Sequence, residues 1–359
     1  MQQQRKVPVF YASSCGGRAL IALMFEFLFG ETVPSGVVAR LGNYDCLAVI
    51  GEGSIGVVFE AVDRTRPDQP PVALKRLKND FYSGILFKEK MAMVQTDGHP
   101  GWVKYVDYLP ESLALQRPEC LVMELCTGGS LGAEIRHRAP RSHRGQRLNF
   151  EKSEVLLIFL QISLALCHLH NTNFVHRDIK PDNVLFDECG CVVIGGLSSA
   201  LDSNFSGRTN GGTPLFWPPE AFETESKPRD RTSPAWDVWS LALTILAMFD
   251  LSSDGPYSNM TSFDELKMHV QAGPLPCITV ATKDNVDSWL DDILKQMLLR
   301  ERVNRINSVS LARRLLSSRH VSISAYLSKL QDDKARRIVR AQVDCILMET
   351  SSTSSSFAT

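Results

Sequence analysis

From Asp45 to Lys75 β-branched and other apolar residues alternate with polar residues and glycines, as in Leu47-Ala48-Val49-Ile50 and Val57-Val58-Phe59-Glu60-Ala61-Val62. A period of two predicts an antiparallel meander. Gly84 to Gln95 then reads as a helix, Cys120 to Leu125 as a further strand, and Thr127-Gly128-Gly129 as a break. From Glu151 to His170 apolar residues recur at helical spacing. Strands therefore give way to helices near Cys126. The pattern predicts an α+β architecture, a small β-rich lobe followed by a larger helical one, with the cleft between them as the default ligand site. Val184-Leu185-Phe186, a turn at Asp187 to Gly190, and Cys191 to Ile194 form an expected hairpin.

Two segments stand outside this pattern. Ala19 to Gly30 is apolar except for Glu26, but it is shorter than the roughly 20 residues that span a bilayer. It lacks a clean cleavage site, so it reads as a docking helix or hairpin, with peripheral membrane contact as the lesser option. Met348 to Thr359 is mostly Ser and Thr and reads as a disordered tail.

Composition narrows the class. The 359 residues are 44% hydrophobic and 22% charged, as expected of a globular enzyme-sized protein. The 39 basic and 40 acidic residues leave a formal net charge of -1, so no overall field recruits nucleic acid or an anionic membrane. One local exception is the stretch from 136 to 147, with Arg136, Arg138, Arg141, Arg144 and Arg147 and no acidic residue. It reads as a solvated insertion, or as a docking loop for an acidic or phosphorylated partner. Nine cysteines at scattered positions show neither metal-ligand spacing nor a disulfide framework. A reducing compartment is expected, the cytoplasm first and the nucleus second. The pair Cys189 and Cys191 is a turn feature before it is a redox site.

Candidate chemistry begins at Gly51-Glu52-Gly53-Ser54-Ile55-Gly56-Val57-Val58, with the spacing G-x-G-x-x-G-x-V. Absent side chains there let backbone amides approach phosphate oxygens. Dinucleotide-binding turns use similar glycines but open a helix, whereas Val57 to Ala61 continues as a strand. Lys75 follows in Val72-Ala73-Leu74-Lys75. A lysine among apolar residues is costly to bury unless it meets phosphate or a carboxylate, and Glu89 on the next helix is the candidate partner.

His176-Arg177-Asp178-Ile179-Lys180-Pro181-Asp182-Asn183 completes the set. With it the chain resembles the eukaryotic protein kinase superfamily, Ser/Thr type, from about Asn43 to about Ser318. The resemblance implies the bilobal kinase fold: an N-terminal extension 1–42, a kinase domain 43–318 with lobes 43–125 and 126–318, a C-terminal helical extension 319–347 and a tail 348–359. It implies that Asp178 orients the substrate hydroxyl, Lys180 sits near the transferred phosphate, Asn183 holds one Mg²⁺, and Lys75 and Glu89 pair. ATP would be held by Gly51, Gly53, Gly56, Val58, Ala73, Lys75, Met123, Glu124, Cys126 and Leu185, with Met123 at the back of the adenine pocket and 124–126 as hinge. Gly212-Thr213-Pro214 and Pro218-Pro219-Glu220 resemble the substrate-binding end of the activation segment, with Pro218 where Ala is usual. Glu220 would pair with Arg305, and Asp237 would begin the helix beneath the catalytic loop. Thr209 falls where members are often phosphorylated, with Arg177 as the cation that phosphate engages.

One departure stands out. The hairpin that normally delivers Asp-Phe-Gly here delivers Gly196-Leu197-Ser198, and no Asp or Glu occurs from Cys189 through Leu201. Leu197 can replace the apolar Phe in a stacked spine with Met93 and His176, but the Mg²⁺ carboxylate is missing. Two readings stay open: an ATP-binding Ser/Thr kinase whose transfer is weak, with Mg²⁺ weakly held or dispensable, and a pseudokinase that binds ATP and acts as scaffold or allosteric regulator of a signalling partner.

Overall fold

A computed structural model of the chain describes residues 36–53, 55–78, 84–112, 118–139, 148–205, 211–223, 233–276 and 288–348. Ala19–Gly30, Ser54, Arg141, Arg144, Arg147, Thr209 and the segment 349–359 therefore lie outside the described residues. By its backbone contacts the chain divides into two units, Met1–Lys90 with Tyr105–Leu125, and Met91–Lys104 with Cys126–Thr359. Residues 91–104, which the sequence assigns to the first lobe, group with the second unit instead, because Gly101 to Val103 bonds to the strand ending at Ile194.

The first unit is a six-stranded sheet, β1 (Ala39–Leu41), β2 (Tyr44–Glu52), β3 (Gly56–Asp63), β4 (Val72–Leu77), β5 (Tyr105–Leu109) and β6 (Cys120–Glu124), in the order β1-β2-β3-β4-β6-β5. All neighbours are antiparallel. Alternation puts Cys46, Phe59, Ala61, Leu74, Cys120 and Val122 into one apolar cluster with Ala39, Leu41 and Tyr44. The sheet curls enough for the Tyr44 hydroxyl on β2 to donate to Asp107 Oδ2 on β5 at 3.1 Å. Beside the sheet runs α1 (Ile85–Gln95), preceded by Gly84 at φ +80°. Its first turn is capped from β6's approach: Glu119 accepts from the amides of Gly84 and Phe87, both at 2.9 Å.

The second unit is helical: α2 (Leu131–Arg138), α3 (Lys152–Asn171), α4 (Ala235–Asp250), α5 (Phe263–Ala272), α6 (Ser288–Met297), α7 (Ser308–Leu316), α8 (Ile323–Lys329) and α9 (Asp333–Met348). Its core is α3 and α4, both apolar around most of their circumference and buried accordingly. Among the described residues α3 is the one helix long and apolar enough to cross a bilayer, yet 72% of its apolar window is buried inside the protein. A Glu151/Glu154 capping box starts it. Two small sheets carry the loops of interest: β7 (Phe174–Val175) pairs with β10 (Leu201–Asp202), and β8 (Val184–Phe186) with β9 (Val192–Ile194).

The arginine-rich stretch differs from expectation at its start. Residues 136–138 are the last turn of α2, and their cations are engaged: Arg138 bonds Glu134 and Glu154 and lies 4.0 Å above the Phe150 ring, and Arg136 reaches Asp182 at 3.0 Å. Met348, where the sequence reading starts the tail, is the last residue of α9.

Candidate active site

In the first unit, strand register gathers the nucleotide candidates on one face of the sheet. Val58 lies opposite both Gly51 and Lys75, and Ala73 opposite Met123. Side chains on a strand alternate, so Val58, Ala73, Lys75 and Met123 share the face away from the apolar cluster of Phe59, Leu74 and Val122. Gly56 is glycine by necessity, for a Cβ there would lie 2.6 Å from the Arg76 carbonyl oxygen. The Gly53 amide donates to Gly56 O at 2.9 Å and closes the loop tip. Lys75 Nζ donates to Glu89 Oε2 at 2.6 Å, with side chains 13% and 3% exposed. So buried a pair is held in place because either partner alone would be an uncompensated charge. Glu124 is half-buried at the end of β6, and Cys126 is half-buried as the second unit begins.

In the second unit the loop from His176 to Asn183 is held from beneath by α4. Asp237 Oδ2 accepts from the His176 amide at 2.8 Å and Oδ1 from the Arg177 amide at 2.7 Å, while His170 Nε2 lies 2.9 Å from Oδ2. Burial works to raise the carboxyl's pKa, but the His170 hydrogen bond and the nearby histidine charges outweigh it and hold it below the usual carboxylate range. Arg177 takes the left-handed region at φ 67°, and its guanidinium lies 5.0 Å over the Trp236 ring.

Asp178 is thereby presented with both oxygens engaged. Thr213 Oγ1 donates to Oδ1 at 2.8 Å, Asn183 Nδ2 to Oδ2 at 2.9 Å and to the Asp178 carbonyl at 2.6 Å, and Lys180 Nζ lies 3.2 Å from Oδ2. Lys180 Nζ also donates to Thr213 Oγ1 at 2.6 Å, closing a triangle of Asp178, Lys180 and Thr213. Leu185 on β8 bridges to Ser130. Glu220 accepts both guanidinium nitrogens of Arg305, at 2.8 and 3.0 Å, in a buried bidentate pair. His176, Leu197 and Met93 are all buried.

Gly196 follows β9 at φ 77° and ψ 39°, and a Cβ built on it would lie 2.5 Å from Asn183 Oδ1 and 2.7 Å from its Nδ2. The Asn183 amide thus fills the space into which a residue-196 side chain would emerge. Among the described residues no three His, Cys, Asp or Glu side chains converge as metal ligands. Mg²⁺ favours carboxylate oxygens in octahedral geometry. Asn183 spends its nitrogen on Asp178 and keeps Oδ1 as a metal ligand, but Gly196 has no side chain, so positions 183 and 196 together offer an ion one amide oxygen and no carboxylate.

A fold of this kind with this loop can be matched to known families, and the family model for the protein kinase domain covers residues 44–319. The chain belongs to the protein kinase family. Its relatives include Serine/threonine-protein kinase Nek1 of Toxoplasma gondii, 29% identical over 66% of this chain and 15% of that protein. Serine/threonine-protein kinase nekl-2 of Caenorhabditis elegans is 28% identical over 59% of this chain and 58% of that protein. Serine/threonine-protein kinase Nek5 of Mus musculus is 25% identical over 71% and 38%. The kinase domain therefore spans less than two thirds of each of these relatives.

Some supports of the kinase site were not read from the sequence. Glu119, which caps the helix carrying Glu89, sits 30 positions from it in a Pro-Glu-Cys context without periodicity. Trp102, stacked on His176 at 5.8 Å between ring centres, and Gln342, which reaches His99 from α9, are joined to the site only by folding.

Proposed function

We propose that the chain binds ATP and transfers its γ-phosphate to protein Ser or Thr hydroxyls at a residual rate. In this reading Gly51, Gly53, Gly56 and Lys75 hold the phosphates, the 124–126 segment holds adenine, and Asp178 takes the hydroxyl proton while Lys180 steadies the transferred group. The observation that carries it is the Asp178–Lys180–Thr213 triangle, in which the carboxylate is aimed and held by three side chains. Preorganisation of this kind is what proton transfer requires. Phosphoryl transfer also depends on neutralising charge at the β- and γ-phosphates, and Gly196 removes one carboxylate from that task. Loss of a single preorganised electrostatic group lowers rates by about 10²-fold or more, so transfer is slow. The seven described cysteines are not joined in disulfides, and a reducing compartment, the cytoplasm first, is the location that suits this reading.

A second reading, an ATP-binding pseudokinase that regulates a signalling partner, is favoured by the Asn183 amide occupying the space beside Gly196. Radiolabelled γ-phosphate transfer to a generic Ser/Thr substrate separates the two. Wild type should exceed Asp178→Asn by at least tenfold, and equal rates would leave the regulator reading. Thermal-shift titration with ATP, with and without Mg²⁺, tests binding by itself. Stabilisation of similar size in both conditions is expected; none in either would remove ATP from the account.

A further inference from the structure

The kinase-family match stops at residue 319, while α8 and α9 lie beyond it and pack on the second unit. Val339, Val343 and Ile346 of α9 are buried. Apolar burial of this kind holds a helix down without specifying one position for it. Gln342 on the same helix does specify one. Its Nε2 donates to the Leu164 carbonyl of α3 at 2.8 Å, and its Oε1 lies 3.1 Å from His99 Nε2. The His99 tautomer follows from its other nitrogen: Nδ1 accepts from the Gly101 amide at 3.0 Å, so in the neutral ring the proton sits on Nε2 and is donated to Gln342. The ring is 3% exposed and stacks on His168, which leaves it no alternative partner in water.

From His99 a continuous set of bonds leads to the departure site. Gly101 O accepts from the Ile194 amide at 2.9 Å, and the Val103 amide donates to Ile194 O at 3.0 Å, adding this segment to β9. Trp102 donates Nε1 to Ala165 O at 3.1 Å and stacks on His176, whose Nε2 lies 2.9 Å from Gly195 O. The Gly195 amide in turn donates to Asn183 O at 2.9 Å. The opposite end of the same hairpin is held as well. Lys329 Nζ reaches Gly190 O at 3.4 Å, and Gln331 Nε2 donates to Cys189 Sγ at 2.7 Å.

We propose that the segment after residue 319 is a clamp on both ends of the β8–β9 hairpin, and that Gln342, acting through His99, is a positioning residue for Ile194–Gly196 and for the Asn183 amide that faces them. The inference stands whether or not the chain transfers phosphate, because it concerns where the hairpin sits and not what is bound there. Residue-resolved hydrogen exchange on the full chain tests it. Gln342→Met keeps the length of the side chain and removes the acceptor oxygen; amides of Gly101, Val103, Ile194 and Gly195 should then exchange about tenfold faster, with those of α4 unchanged. Gln342→Glu keeps an acceptor oxygen toward His99 but sets an oxygen against the Leu164 carbonyl in place of the donor, so the four amides should fall between wild type and Gln342→Met. Unchanged exchange in Gln342→Met, or an equal rise throughout the unit, would overturn the proposal. Should Gln342→Met fail to fold, the ¹⁵N spectrum of the wild-type His99 ring decides: protonation at Nε2 is expected, and protonation at Nδ1 breaks the path at its first bond.

Discussion

Gly196 and Asn183 compete for one volume. With φ at 77° and a Cβ contact of 2.5 Å to Asn183 Oδ1, residue 196 is glycine for both backbone and packing reasons. Gly196→Asp should therefore destabilise the chain by about 2 kcal/mol, the usual cost of overpacking combined with a left-handed non-glycine residue. Urea denaturation measures this, and an unchanged midpoint would show that the Asn183 side chain yields without cost. Restoring the acid is thus not a simple repair, since the Asn183 amide must leave Asp178 first. At Lys75 the prediction has the other sign of charge. Lys75→Met leaves Glu89 buried without its cation and should cost about 3 kcal/mol, much of it recovered in the double variant with Glu89→Leu. If the double variant is as unstable as the single, charge burial is not the cause. Both glycine spacing and the Lys75–Glu89 pairing were legible in the sequence, because a buried lysine demands a partner. The Asn183 packing was not, because no local pattern reports what a side chain 13 residues away will touch.

Among the elements, helix and strand types followed from periodicity with boundaries shifted by a residue or so. α1 begins at Ile85 where Gly84 turns the chain, and α3 runs Lys152–Asn171 where the sequence suggests Glu151 to His170. The larger miss is 136–138, whose arginines look like a loop in sequence and are the end of α2 in space, paired with acids that lie 4 to 46 positions away. Charge periodicity cannot see partners brought in by tertiary contact. Among the described residues, α1 takes its N-terminal cap from Glu119. Glu119→Ala should leave two amides of that first turn unpaired and cost about 1–2 kcal/mol, with faster exchange confined to the first turn of α1. Exchange spread evenly over the helix would mean that Glu119 acts on packing and not on the cap.

For the molecule as a whole, His99 makes stability depend on pH. Burial foremost, against the hydrogen bond to Gln342, pushes its pKa down from 6.5 to about 4, and burial also lowers that of the stacked His168. Between those values the unfolded chain binds a proton that the folded chain excludes, so stability is complete above about pH 6.5 and falls as pH drops toward 4. The His99 contribution reaches roughly 3 kcal/mol across that window. Melting temperature should therefore decline steadily from pH 7 to pH 4.5, and a flat profile would contradict the burial of a neutral ring. The amino-acid sequence by itself determined the sheet-then-helix order, the kinase family, and the absence of an acid at position 196, because periodicity and motif spacing are local properties of a chain. Only the tertiary structure decided that Asn183 fills the space left beside Gly196, that residues 91–104 join the helical unit, and that Gln342, on a helix beyond residue 319, bonds His99. Those outcomes depend on side chains meeting across 13 to 243 positions of chain, a distance over which packing and hydrogen-bond satisfaction select partners that no spacing rule encodes.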